Sequence, residues 1–287
     1  MLKNLFNFIC NYKMIFNPVI RYNASNIGEI SGINELKRET QIVVSITSGE
    51  DRFDELELSL YSVFNQTISP DKVILWFSNE YELSELPYSI TRYIKNGLEI
   101  RFVEDKKSFT NIIYALKEFE NHIIITAEDN ICYPKDWLKK LYHSYITNPK
   151  DIHVHRAFKV KTKENTNLPS VLCEKYFNNE MAGFDYIPDI YGGVLYPPKC
   201  FTREVFREDV YKKKAKADWI VWAWVMALVS GRKIRIVKNH IKILSCINFM
   251  KQFKTESNRI KHSVVIGNQI SKLMEFYGQN ITQRLNS

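Results

Sequence analysis

Glu128, Asp129 and Asn130 stand side by side in "IIITAEDNICYP" (123–134), directly behind a run of β-branched residues. Three oxygen-bearing side chains in succession are the kind of donor set that a hard divalent cation takes. In open α/β sheets ligands bind beyond the carboxyl ends of strands, and this cluster follows the end of a predicted strand. The same residue types also suit a plain turn leading from that strand into a helix beginning at Pro134, so spacing alone leaves both readings open. His153 and His155 alternate along another predicted strand and share a face, but a zinc pair would need a third ligand; His262 is a C-terminal candidate.

The elements that must position these residues are written as alternating patterns. "QIVVSIT" (41–47), "KVILWF" (72–77), "LEIRFV" (98–103) and "HIIIT" (122–126) read as strands, with helical segments between them. The first helix carries Leu56, Leu60, Val63 and Phe64 on one face, and Asp54 with Glu57 matches a capping box. A second places Ile112, Ala115, Leu116 and Phe119 on one face behind Ser108 as N-cap. A third starts at Pro134 and shows Leu138, Leu141 and Tyr145 as its apolar stripe to about Thr147. Parallel strands with crossover helices follow, hence an α/β, Rossmann-like fold: a mostly parallel central sheet flanked by helices.

Residues 158–200 are rich in Asn, Pro and Gly and are expected to form long ordered loops over one face. Trp219 to Val229 is wholly apolar, shorter than the roughly 20 residues a membrane span needs, and reads as a buried helix ended by Gly231. The strand "KIRIV" (233–237) and a helix near 265–277 complete the pattern.

A net charge of +8 favours anionic company, a nucleotide diphosphate, an anionic lipid surface or nucleic acid. The densest basic run, "YKKKAK" (211–216), is short, and the aromatic-basic interleaving that grips nucleic acid is missing. No G-x-G-x-x-G and no Walker A loop occurs, which removes the dinucleotide and P-loop classes. Five widely spaced cysteines without a C-x-x-C pair fit a reducing cytosol. Residues 1–40 are expected to be an N-terminal extension in which Leu2, Leu5, Phe6 and Ile9 recur at helical spacing near lysines. That pattern suits either a membrane-surface helix or one packed on the domain.

Family resemblance sharpens this reading. "VSITSGEDRF" (44–53) followed by "SLYSVFNQTISPDKVILWFS" (59–78) resembles the opening nucleotide-binding unit of bacterial GT-A glycosyltransferases of the family 2-like kind. "ITAEDNICYPKDWLKKLYHSY" (125–145) is similar to the segment carrying their D-x-D metal motif. "HVHRA" (153–157), "GGVLYPP" (192–198) and "ADWIVWAWVMAL" (217–228) then fall in the order that family uses.

The resemblance implies a GT-A domain over 41–287, with a nucleotide-sugar-binding half at 41–157 and an acceptor-binding half at 158–287. It implies transfer of a sugar from a nucleotide-diphosphate donor, preferentially a UDP-sugar, to a hydroxyl of a cell-surface glycan or lipid-linked acceptor. Inversion is the expected course, in the cytoplasm, with peripheral contact to the inner membrane and no nucleic acid partner. Glu128, Asp129 and Asn130 match the motif that holds Mn2+ or Mg2+, although Asn130 stands where the family has its metal-binding aspartate. Thr47, Ser48, Arg52 and Asp105 match donor-binding positions, and Asn111 stands where relatives carry a lysine. Asp218 matches the base of an acidic pair whose second member is here Trp219, with Asp189 as the fallback. Gly192, Gly193 and Trp219 fall in the acceptor half. The alternative with the same fold is a degenerate, non-catalytic nucleotide-binding protein acting in a complex.

Overall fold

The computed structural model describes residues 32–162, 169–170, 181–215, 219–238, 244–245, 268–278, 281 and 284–285. The strands among them are β1 (Ile42–Thr47), β2 (Lys72–Ser78), β3 (Leu98–Val103), β4 (Ile123–Glu128), β5 (Ile131–Cys132), β6 (Ile152–Val154) and β7 (Ala157–Lys159). They continue as β8 (Lys161–Thr162), β9 (Pro169–Ser170), β10 (Met181–Gly183), β11 (Tyr186–Pro188), β12 (Val194–Tyr196), β13 (Ile234–Ile236) and β14 (Leu244–Ser245). The helices are α1 (Phe53–Phe64), α2 (Tyr88–Thr91), α3 (Thr110–Glu118), α4 (Trp137–Thr147), α5 (Glu208–Lys214) and α6 (Trp219–Val229), with a further helical stretch at 268–277. Eight strands form one mostly parallel sheet in the order β10-β13-β6-β12-β4-β1-β2-β3, the α/β architecture expected from the alternating pattern. No helix among the described residues is long and apolar enough to cross a membrane.

The contacts divide the chain into two compact units. The first comprises residues up to 112 with 125–139 and 244–245. Here β1, β2 and β3 run parallel, with Val44 opposite Val73 and Leu75 opposite Ile100. Ile42, Val43, Val44 and Ile46 of β1 and Val73 to Phe77 of β2 are buried, because a parallel sheet covered on both faces needs continuous apolar strands. Helix α1 buries Leu56, Leu60, Val63 and Phe64, as its spacing predicts. Gly97 enters β3 at φ +99°, a left-handed position that a side chain would strain.

The second unit comprises 113–124, the described residues from 140 to 238 and the C-terminal helical stretch. In it β6 lies between β12, antiparallel, and β13, parallel, while β10 pairs antiparallel with β13. Helix α6 is buried nearly throughout, including Trp219, Trp222 and Trp224, and ends where Gly231 turns at φ +67°. His153 is buried and contacts the Ser144 hydroxyl at 2.8 Å and the Asn148 carbonyl at 3.0 Å, which explains it as a core residue.

Several boundaries differ from the sequence reading. The capping box of Asp54 and Glu57 does not form, because a 3-10 turn at Glu50–Arg52 leads into α1 and puts Arg52 at its N-cap. Ser108 lies inside another such turn, Lys107–Phe109, rather than capping α3. Pro134 precedes its helix: its carbonyl accepts from Trp137 N–H at 2.9 Å, where α4 begins. The stretch 158–200, expected as loops, contributes three-residue strands at β10, β11 and β12.

Candidate functional site

In the first unit, the chain leaves β1 at Thr47 and passes through Ser48 and Gly49 into the turn that carries Arg52. It leaves β4 at Glu128 and turns through Asp129 and Asn130 into β5. The acidic turn is fixed from two sides. Ser59 of α1 donates its hydroxyl to the Glu128 carbonyl at 2.7 Å, and the Glu128 N–H donates to the Tyr133 hydroxyl at 2.8 Å. Tyr133 is itself held by its N–H to the Ser62 hydroxyl at 2.9 Å and by stacking on Trp137, with ring centroids 4.1 Å apart.

Asp129 ties the two loops together. Its Oδ2 accepts from the Ser48 hydroxyl at 2.8 Å, and its Oδ1 pairs with Arg52 Nη1 at 3.0 Å. The Asp129 side chain is 7% exposed and that of Arg52 43%, so the pair is open on the cationic side. Burial pushes the Asp129 carboxyl above the ordinary carboxylate range, against the pull of Arg52 and Ser48. Burial alone would lower the Arg52 value, but Asp129, with smaller contributions from Asp51 and Glu128, raises it. The guanidinium is thus held charged among carboxylates.

Around these loops Asn130 Oδ1, Asn111 Oδ1 and Thr47 Oγ1 are buried without a hydrogen-bond partner. Asn130 is 4% exposed and Asn111 5%. Asn111 is anchored elsewhere, its Nδ2 donating to the Ala127 carbonyl at 3.3 Å and its own carbonyl accepting from Ser45 Oγ at 2.7 Å. Buried oxygens without donors cost stability, and native structures keep few of them unless something occupies the site. Asp105 accepts from Lys107 N–H at 2.7 Å and pairs with Lys107 Nζ at 2.8 Å. Its partial burial would raise the carboxyl, but these contacts hold it below its ordinary range. Lys107 takes a left-handed φ of +57°, rare for a lysine.

The oxygens fit a hard cation in kind. Asn130 Oδ1 and the Glu128 carboxylate are the ligand types that Mg2+ or Mn2+ accepts alongside phosphate oxygens. Asp129 is already engaged through both oxygens. Among the described residues no group of three or more His, Cys, Asp and Glu could hold a metal ion.

In the second unit, Asp189 is 4% exposed and pairs with Arg156 Nη2 at 2.8 Å. It caps the turn at Ile190–Gly192 by accepting from Tyr191 N–H at 3.1 Å. Gly192 brings the chain close to the link between β6 and β7: an added Cβ would come within 3.3 Å of Arg156 N. Gly193 takes φ +70°. Trp219 opens α6 and is buried. Asp218 lies outside the described residues, as do His262 and residues 1–31 of the N-terminal extension.

Sequence reasoning assigned no role to Ser59, Tyr133 or Ser45. Ser59 carried the one available signal, a hydroxyl within the buried face of α1 beside Leu56, Leu60 and Val63.

Neither a protein-family model nor a curated protein matches this sequence. Among solved structures, the chain is similar to the mannosyltransferase PcManGT from Pyrobaculum calidifontis in complex with GDP-Man and Mn2+. The TM-score is 0.50 at 12% identity, over 90% of this chain and 73% of that one, a likeness of fold.

Proposed function

We propose that the protein is a glycosyltransferase that moves a sugar from a nucleotide-diphosphate donor to a hydroxyl of a cell-surface glycan or lipid-linked acceptor, with inversion. The observation that carries this is the turn after β4, where Asn130 Oδ1 is buried without a partner beside an Asp129 that holds Arg52 and Ser48. A glycosyltransferase fold in the solved neighbour, which holds GDP-Man and Mn2+, supports the reading. UDP and GDP are the bases to test first.

In this reading Arg52 meets the donor's phosphate charge, and Thr47, Ser48, Asp105 and Asn111 receive the nucleotide. Glu128 and Asn130 would hold a divalent cation, which would supply positive charge to offset that of the departing diphosphate. Asp218 takes the proton from the acceptor hydroxyl as that oxygen attacks the anomeric carbon; the bond to the diphosphate breaks and the nucleoside diphosphate leaves. Asp189 keeps its place as the clamp of Arg156, and Gly192, Gly193 and Trp219 shape the acceptor side. The domain covers 41–287, with residues 1–40 as a peripheral membrane-binding extension on the cytoplasmic side.

Thermal unfolding with nucleoside diphosphates, each with Mn2+ and with chelator, tests the reading. A ligand at 100 times its Kd stabilises by about 2.7 kcal/mol, worth roughly 5–10 °C in a chain of this size. One base should give such a shift with Mn2+; no shift with any base would sink the proposal. The second reading, a non-catalytic nucleotide binder, is favoured by Asn130 and by the engagement of Asp189. It predicts nucleotide binding with no turnover of any sugar nucleotide.

A further inference from the structure

We infer that the second unit carries a basic face for an anionic lipid surface, built around Arg232 at the amino ends of β6 and β13. Lys150 stands two residues before β6 and Lys233 one residue before β13, and these strands run parallel with Ile234 opposite Ile152. The antiparallel β12 ends at the same edge and delivers Lys199 three residues on. Ligands of parallel strands gather at the carboxyl ends, so this edge is not where substrate chemistry is expected. One guanidinium draws three segments together. Arg232 donates from Nε to the Cys200 carbonyl at 3.0 Å, from Nη1 to the Lys150 carbonyl at 3.2 Å and from Nη2 to the Lys199 carbonyl at 3.1 Å. The Ile152 N–H donates to the Lys233 carbonyl at 2.9 Å, which holds that residue at the same strand end. Arg284 reaches the neighbouring turn: it donates to the Leu228 carbonyl, and an added Cβ on Gly231 would lie 3.4 Å from its guanidinium.

Lys150, Lys199 and Lys233 are exposed, and none of the three pairs with a carboxylate among the described residues. Lys233 sets its ammonium over the Phe184 ring at 5.6 Å, a contact that leaves its charge in place. Asp151 is taken by Arg235 at 2.8 Å, and Glu120 meets the face through its carbonyl, which accepts from Lys199 N–H at 2.7 Å. Lys199 keeps this position at a left-handed φ of +51°. Cations gathered in this way repel one another, and an anionic surface laid against them relieves that repulsion. How the donors are used decides the kind of anion. Arg232 commits all three of its nitrogens to carbonyls, so it adds charge without offering an open fork to a single phosphate. Three flexible lysine ammoniums suit a diffuse layer of headgroups instead. Ile146, 58% exposed in the last turn of α4 and four residues before Lys150, adds an apolar side chain for the interface. No exposed aromatic ring on which a base could stack lies in 146–151, 197–201 or 229–235, which favours lipid over single-stranded nucleic acid.

Sedimentation of the full chain with phosphatidylcholine vesicles, with and without an equal part of phosphatidylglycerol, tests this. Wild-type protein should ignore the neutral vesicles, bind the mixed ones and leave them as salt rises. A lysine at an anionic surface raises partitioning about fivefold, so Lys150→Gln/Lys199→Gln/Lys233→Gln should bind the mixed vesicles about a hundredfold more weakly. Lys150→Arg/Lys199→Arg/Lys233→Arg keeps the charge and should bind as wild type does, which separates loss of charge from loss of fold. Wild-type protein that stays in solution with both vesicles, or sediments equally with both, overturns the inference. A glutamine variant that binds as wild type does also overturns it and assigns the attraction to another surface, residues 1–40 included. Loss of affinity for single-stranded RNA in the glutamine variant, with no vesicle binding by wild type, overturns the lipid partner in favour of nucleic acid. None of these results depends on the turn after β4, so the donor-site reading stands or falls separately.

Discussion

Replacing Arg52 with Gln leaves the Asp129 carboxylate, 7% exposed, with Ser48 as its one remaining side-chain donor among the described residues. Breaking a fully buried ion pair by removing one partner costs about 3–5 kcal/mol. The Arg52 side chain is 43% exposed and screened by water, so the expected cost is lower, about 1–2 kcal/mol, or roughly 3–6 °C in melting temperature. Asp129→Asn should cost less, since an amide oxygen still accepts from Ser48 and the released guanidinium returns to water. The double variant should then match Asp129→Asn alone, leaving a coupling of about 1 kcal/mol. The pH dependence has a definite sign. The folded Asp129 carboxyl already lies above its unfolded value, so its charged form is the one the fold disfavours, and loss of Arg52 raises it further. The deficit of Arg52→Gln should therefore shrink as pH falls from neutral toward the raised folded value. Urea melts of the four proteins at neutral and mildly acidic pH measure this. Additive costs, or a deficit that does not change with pH, would refute the pairing argument.

Tyr133→Phe removes the acceptor for the Glu128 N–H and should cost about 1 kcal/mol while weakening nucleoside diphosphate binding, read by thermal shift and calorimetry. His153, held neutral by burial, has its value lowered from 6.5 to about 4. Its contribution is complete above pH 6.5 and lost as pH falls toward 4, about 3 kcal/mol in all, and His153→Gln should flatten that limb of the stability curve. Gly97→Ala forces a side chain into φ +99° with its Cβ 2.6 Å from Ile33, and should destabilise by about 1–3 kcal/mol in chemical denaturation.

The strands of the first half were legible because parallel strands buried on both faces must be written as unbroken apolar runs, as β1, β2 and β4 are. The short strands between 152 and 196 were not, since three residues are too few to show a period. The starts of α1 and α3 slipped because 3-10 turns carry no pattern distinct from the helix they enter. For the site, the sequence placed Glu128 to Asn130 at a strand end, but the commitment of Asp129 spans 81 residues to Ser48 and 77 to Arg52. Such pairings depend on β1 and β4 being neighbours in the sheet, which no local spacing encodes.

Release of nucleoside diphosphate from UDP- and GDP-sugars, in the presence of Mn2+, tests most directly the claim that the turn after β4 handles a sugar donor. Wild-type protein is predicted to hydrolyse one donor class slowly without acceptor, and Glu128→Gln to lose that activity while keeping its fold by circular dichroism. Release from none of the donors, or release undiminished in Glu128→Gln, would contradict the account.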